Sequence, residues 1–169
     1  MKEKLEFKDI DFERHSELCI KFRADSFFES FGTDEPFYEN DNTGEVYINW
    51  LKSKVSETYK AMHVWFEGKI IGQLEFGKRN VDDPFGYVNL YYLVPEVRGK
   101  GLSNYLEEYT VSFFKLYNYN KVRLSVSPTN KRAIGFYLKN GWKDIGVRNG
   151  PGRTGRGLKF VVHYMEKLL

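Results

Sequence analysis

Between Tyr91 and Tyr109 the chain reads YYLVPEVRGKGLSNYLEEY. An apolar, strand-like run stops at Pro95, Gly99 and Gly101 flank Lys100, and a helical pattern begins behind them. Glycine lacks a Cβ and accepts positive φ, so successive peptide N–H groups can converge on one small space. The first turn of a helix adds unpaired N–H groups and the positive end of its dipole. Together they make a cradle for an anion, best suited to phosphate or pyrophosphate, and Arg98 and Lys100 add cationic charge. The P-loop spacing ending in Gly-Lys-Ser/Thr is absent, and so are the three glycines that a dinucleotide fingerprint needs. A Gly-x-Gly turn taken alone is equally an ordinary strand-to-helix corner.

Two blocks raise its meaning. LVPEVRGKGLSNYL resembles the acetyl-CoA-binding motif of the GNAT superfamily of N-acetyltransferases, Arg/Gln-x-x-Gly-x-Gly/Ala: Arg98 and Gly101 match, and Ser103 departs conservatively at the last position. Further on, SPTNKRAIGFYLKNGW resembles the next element of that family, Asn-x-x-Ala-x-x-x-Tyr-x-x-x-Gly-Phe. There Asn130, Ala133, Tyr137 and Gly141 match, and Trp142 replaces the usual Phe.

The resemblance implies acetyl-CoA as cosubstrate, no metal, and direct transfer of the acetyl group to a primary amine in a ternary complex. It implies that the strand ending at Val94 splays from KVRLSVS and that the pantetheine arm lies in the gap, along the backbone of Tyr91, Tyr92 and Leu93. The N–H groups of Gly99, Lys100, Gly101, Leu102, Ser103 and Asn104 would hold the pyrophosphate, beside Arg98. Asn130 would bond to the arm, or serve as a plain helix cap, or both. Tyr137 would stand near the sulfur and protonate the leaving thiolate. An amine acceptor must lose a proton, and a lysine-type amine has a pKa of about 10.4, so a base is needed. Many relatives carry Glu where this chain has Asn89, and an amide cannot take that proton. Glu75, on the neighbouring strand, is the substitute if its side chain faces the cleft, and Tyr91 could relay through water. His63 and His163 read first as strand residues with local hydrogen bonds. The missing carboxylate at Asn89 also supports a rival reading, a non-catalytic acyl-CoA-binding sensor or regulatory domain.

The elements that must position these groups are legible in the pattern. KLEFKDID alternates as a strand, and Phe12 to about Phe28 is helical with Leu18, Phe22 and Ala24 inward. ESFGTDEPFYENDNTGE is a loop or a loop with one helical turn. Asn42 or Thr43 is placed to cap a helix through EVYINWLKSKVSE, with Val46, Trp50, Leu51 and Val55 on one face. KAMHVWFE, KIIGQLEFGK and GYVNLYYLV follow as strands, joined by a tight turn at Glu67-Gly68 and a looser one at RNVDDPFG. A helix from about Gly101 to Tyr117 carries Leu102, Tyr105, Leu106, Tyr109, Phe113 and Leu116 on one stripe. A strand KVRLSVS, a helix from Asn130 to Lys139, and strands WKDIGVR and KFVVHYMEKLL around NGPGRTGRG complete the order. The expected fold is α+β (mixed α/β), a single domain over residues 1–169, with a central mixed sheet of about seven strands flanked by helices and its fourth and fifth strands splayed.

With 169 residues, 41% of them hydrophobic, the chain can bury a sizeable core, and its net charge of +3 does not argue for nucleic acid. One cysteine, Cys19, excludes an intramolecular disulfide and reads as a small core residue. No run approaches transmembrane length, so a cytoplasmic protein without membrane partners is expected; a homodimer is allowed. From Ala24 to Leu51 there are seven acidic residues and no Lys or Arg. A negative cleft, walled by Phe31, Phe37 and Tyr38, would draw a small cationic amine or a lysine or N-terminal amine of a peptide. It could also be only a solvated acidic loop. The opposite charge gathers at Arg148, Arg153 and Arg156, which reads as a hairpin tip or as a contact for anions.

Overall fold

The structure, a computed structural model, describes residues 5–149 and 161–169. Seven strands form one sheet in the order β1-β2-β3-β4-β5-β7-β6. They are β1 (Leu5–Asp9), β2 (Tyr59–Phe66), β3 (Lys69–Gly77), β4 (Gly86–Leu93), β5 (Lys121–Val126), β6 (Lys143–Asn149) and β7 (Val161–Leu168). The helices are α1 (Phe12–Phe31), α2 (Glu35–Tyr38), α3 (Glu45–Lys54), α4 (Ser103–Leu116) and α5 (Lys131–Lys139). All pairings are antiparallel except β4 with β5.

Local chemistry explains most element ends. Asp11 caps α1 by accepting from the N–H groups of Glu13 and Arg14, and Gly32 ends that helix at φ 73°. At Glu67-Gly68 both residues have positive φ, 48° and 77°, the handedness that lets a tight hairpin follow the strand twist. The α3 cap differs from expectation. Gly44, not Asn42 or Thr43, occupies the N-cap; from outside it the Thr43 hydroxyl takes the N–H of Glu45 at 3.2 Å, and the Asp41 carboxylate takes the N–H of Val46 at 2.8 Å and of Thr43 at 2.9 Å. This start turns the helix so that Ile48 and Leu51 are buried, while Val46 (62% exposed) and Val55 face solvent. On α4, Leu116 is exposed at 77% and Phe114 is the buried residue of the last turn, so the stripe ends one turn earlier than its spacing suggested.

The two faces of the sheet bury different sets. Met62, Val64, Leu74, Phe76 and Val88 pack with Leu102, Leu106 and Phe114 of the α4 side and Trp142 behind α5. On the other face Tyr59 and Ala61 pack with Cys19, Ile48 and Leu51, and Leu90 and Tyr92 with Phe22. One register feature governs the site. β3 pairs Glu75 with Leu90 but Phe76 with Val88, so Asn89 is an extra residue, a β-bulge in β4. β4 and β5 are paired only from Gly86–Val88 to Val122–Leu124. Past the bulge they part.

Candidate functional site

The corner after β4 has the conformation that its glycines permit. Gly99 and Gly101 have φ of 74° and 78°, a region that costs an L side chain. A Cβ at either would meet nothing nearer than Arg132 Nη2 at 4.0 Å or Asn104 Nδ2 at 3.9 Å, so the corner is open above its backbone. The N–H groups of Gly99, Lys100, Gly101 and Leu102 donate to no backbone carbonyl among the described residues. Asn104 donates its own to the Gly101 carbonyl at 3.3 Å, which leaves it the least available of the run. Leu102 anchors the corner with a buried side chain, and Ser103 lines the adjoining cavity. Lys100 is exposed beside the cradle. Arg98 is used otherwise than expected. Its guanidinium lies 2.9 Å from Asp25 and 2.9 Å from Glu29 on α1 and donates to the Leu93 carbonyl at 2.8 Å, so its charge is spent holding α1 to the end of β4.

Beside this corner a cavity of about 370 Å³ runs along the splay; it reaches Arg98 and Ser103, while Gly99, Lys100, Gly101, Leu102 and Asn104 do not line it. Tyr91, Tyr92, Leu93, Ser103, Asn130 and Tyr137 all line it, so residues 46 positions apart meet as the two motifs require. The hydroxyl groups of Tyr91 and Tyr92 are turned away, bonded to Thr110 and Asp25, which leaves their backbone to the gap. Asn130 caps α5 through Oδ1, accepting from the Ala133 N–H at 3.2 Å, and its Nδ2 donors remain for a ligand. Tyr137 is half-buried and its hydroxyl makes no hydrogen bond with the described residues. Burial first, then the carboxylate of Glu107 and the phenol of Tyr87, raise its pKa, so it stays protonated throughout the neutral range.

The family model of the acetyltransferase (GNAT) family matches residues 22–142. The chain belongs to that family. It is an acyltransferase that draws on acetyl-CoA. Solved structures of similar fold include the spermidine N-acetyltransferase of Vibrio cholerae in complex with CoA and spermine (TM-score 0.75, 16% identity, covering 98% of this chain and 96% of that one). The PaiA N-acetyltransferase of Thermoplasma acidophilum in complex with coenzyme A is similar too (TM-score 0.70, 20% identity, 98% and 99% covered). So is a GCN5-related N-acetyltransferase from Kribbella flavida (TM-score 0.75, 14% identity, both chains covered entirely, 100%). No curated protein matches the chain in sequence.

The base candidates fare differently from the cofactor residues. Glu75 is fully buried on the sheet face under α1 and α3, accepting from Tyr47 at 2.7 Å and Gln73 at 3.1 Å, and it does not line the cavity. The condition for its use as a base, a side chain facing the cleft, is not met, because Tyr47 and Gln73 hold it in the buried layer under α1 and α3. Nor is it an exposed strand carboxylate. The Tyr91 hydroxyl is engaged by Thr110, which removes the proposed relay. Asn89 does line the cavity, with its amide donating to Tyr59 and its carbonyl accepting from Arg23 at 3.0 Å. His63 is buried between Cys19 and Gln73, and His163 pairs with Asp144 at 2.6 Å. Burial, and secondarily the Glu75 carboxylate, push the Cys19 thiol up to about 12, which makes it no nucleophile.

The charge of the cavity also departs from the sequence reading. Of the seven acidic residues from Asp25 to Glu45, only Glu29 lines it, and Glu29 is paired with Arg98. Its other charged lining groups are Arg23, Arg79, Arg98 and Arg132. Arg23 lies one position outside the acidic stretch, and Arg79 sits in the turn before β4, so neither shows in a window count. Phe31 does line the cavity with Phe27, whereas Phe37 packs behind them against Phe27 and Tyr47. Arg153 and Arg156 lie outside the described residues. Among the described residues no cluster of His, Cys, Asp and Glu is arranged for a metal, and no helix is long and apolar enough to cross a membrane.

Proposed function

We propose that this protein is an N-acetyltransferase that moves the acetyl group of acetyl-CoA directly onto the primary amine of a small molecule or peptide. The observation that carries the reading is one cavity that reaches Arg98 and Ser103, on either side of the open glycine corner, and follows the splay to Tyr137, whose hydroxyl is unbonded among the described residues. Free N–H groups at Gly99 to Leu102 fit a diphosphate, and the unpaired edge of β4 beyond Asn89 fits the amides of a pantetheine arm.

Acetyl-CoA supplies an activated acyl carbon. The acceptor nitrogen forms the new C–N bond as the C–S bond breaks, and the electron pair of that bond goes to sulfur. Tyr137 gives the departing sulfur its proton and regains one from water. The proton lost by nitrogen leaves through the open cleft to solvent, since no unpaired carboxylate lines the described wall. A single domain acting without a covalent acyl-enzyme suffices for this sequence of bonds.

The test is thiol release from acetyl-CoA over a panel of primary amines, beside calorimetric binding of CoA. Release that depends on an amine supports the reading. Tight CoA binding with no release to any amine would instead mark a sensor domain, and no CoA binding would remove the site itself.

A further inference from the structure

The cavity has a second cationic pole that the cofactor does not explain. Arg98 is neutralised by Asp25 and Glu29, and Arg132 lies beside Gly99 at the cradle, within reach of cofactor phosphate. That leaves Arg23 and Arg79. Arg79 lies over the Tyr87 ring, with Cζ 4.5 Å from its centroid. Arg23 lies over Phe27 at 5.6 Å and spends one of its five donors on the Asn89 carbonyl. Neither has a carboxylate within ion-pairing distance among the described residues, and both are half-exposed. Both side chains line the same cavity along the first half of β4, Arg79 over Tyr87 and Arg23 at the Asn89 backbone carbonyl. Tyr87 is the second residue of β4 and Leu93 its last, so at about 3.3 Å per residue this pole stands roughly 20 Å from the end that adjoins the cradle. The bulge at Asn89 lies between them.

We propose that Arg23 and Arg79 form an acceptor subsite for an anionic group, so that the amine acetylated here belongs to a small amino acid rather than to a polyamine. This rests on the acetyltransferase reading above. Planar guanidinium forks match carboxylate geometry, and their stacking on Phe27 and Tyr87 fixes their orientation. A polyamine would meet two like charges with no acid to receive it. The same pair addresses the missing base. An ammonium held near two cations loses its proton more readily, so the field favours the neutral nucleophile where no cleft carboxylate can take the proton.

The experiment uses the full chain saturated with CoA for binding, and with acetyl-CoA for thiol release. The probes are the twenty L-amino acids, β-alanine, spermidine, and the amide of whichever acid binds best, which keeps the amine and deletes the carboxylate. We expect that acid to bind at least ten-fold more tightly than its amide or spermidine. Arg79→Gln and Arg23→Gln should each shrink that difference at least ten-fold, with CoA affinity unchanged, and should move the alkaline rise of the rate to higher pH. Arg79→Lys should restore part of the discrimination. The proposal is overturned if spermidine or the amide binds as well as the acid, if no carboxylate-bearing amine binds, or if the glutamine variants discriminate like the parent. Amine-dependent thiol release to spermidine would sink the subsite and leave the transferase reading intact; loss of CoA binding in the parent would sink the latter.

Discussion

Substituting Gly101 tests the cradle, and two variants separate backbone strain from electrostatics. Any L residue at φ 78° costs about 1–2 kcal/mol, so Gly101→Ala and Gly101→Glu share that loss. For a chain of this size it lowers Tm by roughly 2–8 °C, at about 2–4 °C per kcal/mol. Steric cost in the free protein is small, because the nearest atom to the new Cβ is 3.9 Å away on a mobile amide. What differs is charge. A glutamate carboxylate about 6 Å from one unit of diphosphate charge repels it by roughly 3 kcal/mol at an effective dielectric of 20. The corner is exposed, and salt at physiological strength screens over about 8 Å, which cuts this to about 1–2 kcal/mol, or roughly five- to thirty-fold in CoA affinity. Calorimetric titration of each folded variant with CoA, at low and high salt, reads the difference directly. The gap between Glu and Ala should widen as salt is lowered. Equal affinities for CoA at low salt would mean that the diphosphate does not lie over these amides.

Three further outcomes follow from the same geometry. Tyr137→Phe should lower turnover about 10²-fold, the lower range for a lost general acid, while calorimetric CoA affinity stays near that of the parent; an unchanged kcat would remove the acid role. Burial lowers the pKa of His63 to about 4, against about 6.5 in the unfolded chain, so between those values the unfolded state binds the extra proton. Stability is therefore full above pH 6.5 and falls by roughly 3 kcal/mol as the pH drops through that window, a loss that urea unfolding at pH 7 and 4.5 should find reduced in His63→Gln. Arg98→Met should destabilise the fold by about 2 kcal/mol, because it leaves Asp25 and Glu29 without their partly buried partner, and Arg98→Lys should rescue little of that melting-temperature loss, since one ammonium cannot span both acids and the Leu93 carbonyl.

What could be read from the sequence was what short stretches decide. The positive φ at Gly99 and Gly101, the Asn130 cap and the Glu67-Gly68 turn each depend on a few neighbouring residues, and each is where its stretch put it. The splay came through family likeness, since nothing in GYVNLYYLV announces where it leaves its neighbour, and the placing of β7 between β5 and β6 was not read at all. Side-chain direction was the part that escaped. Glu75 and Asn89 are polar residues on adjacent strands, but one bulge decides which of them reaches the cavity. The role of Arg98 escaped for a different reason: its partners Asp25 and Glu29 lie on the first helix, too far along the chain for any local pattern to pair them.

That pairing also explains why an acidic stretch does not make an acidic cleft. A field depends on where charges find counter-charges, and a count of acids records neither position nor partner. On α1, Asp25 and Glu29 are consumed by Arg98 at the cofactor end, Asp41 is consumed by the start of α3, and Arg23 is the charged group of α1 that lines the cavity without an acidic partner. α1 therefore closes the cleft as a wall with two functions. Its acids tie the glycine corner in place from one side. Its arginine, bonded to the Asn89 carbonyl at the bulge, sets the sign of the acceptor end from the other. Shifting α1 by a turn would unpair Arg98 and withdraw Arg23 together, so cofactor grip and acceptor selection depend on one helix position.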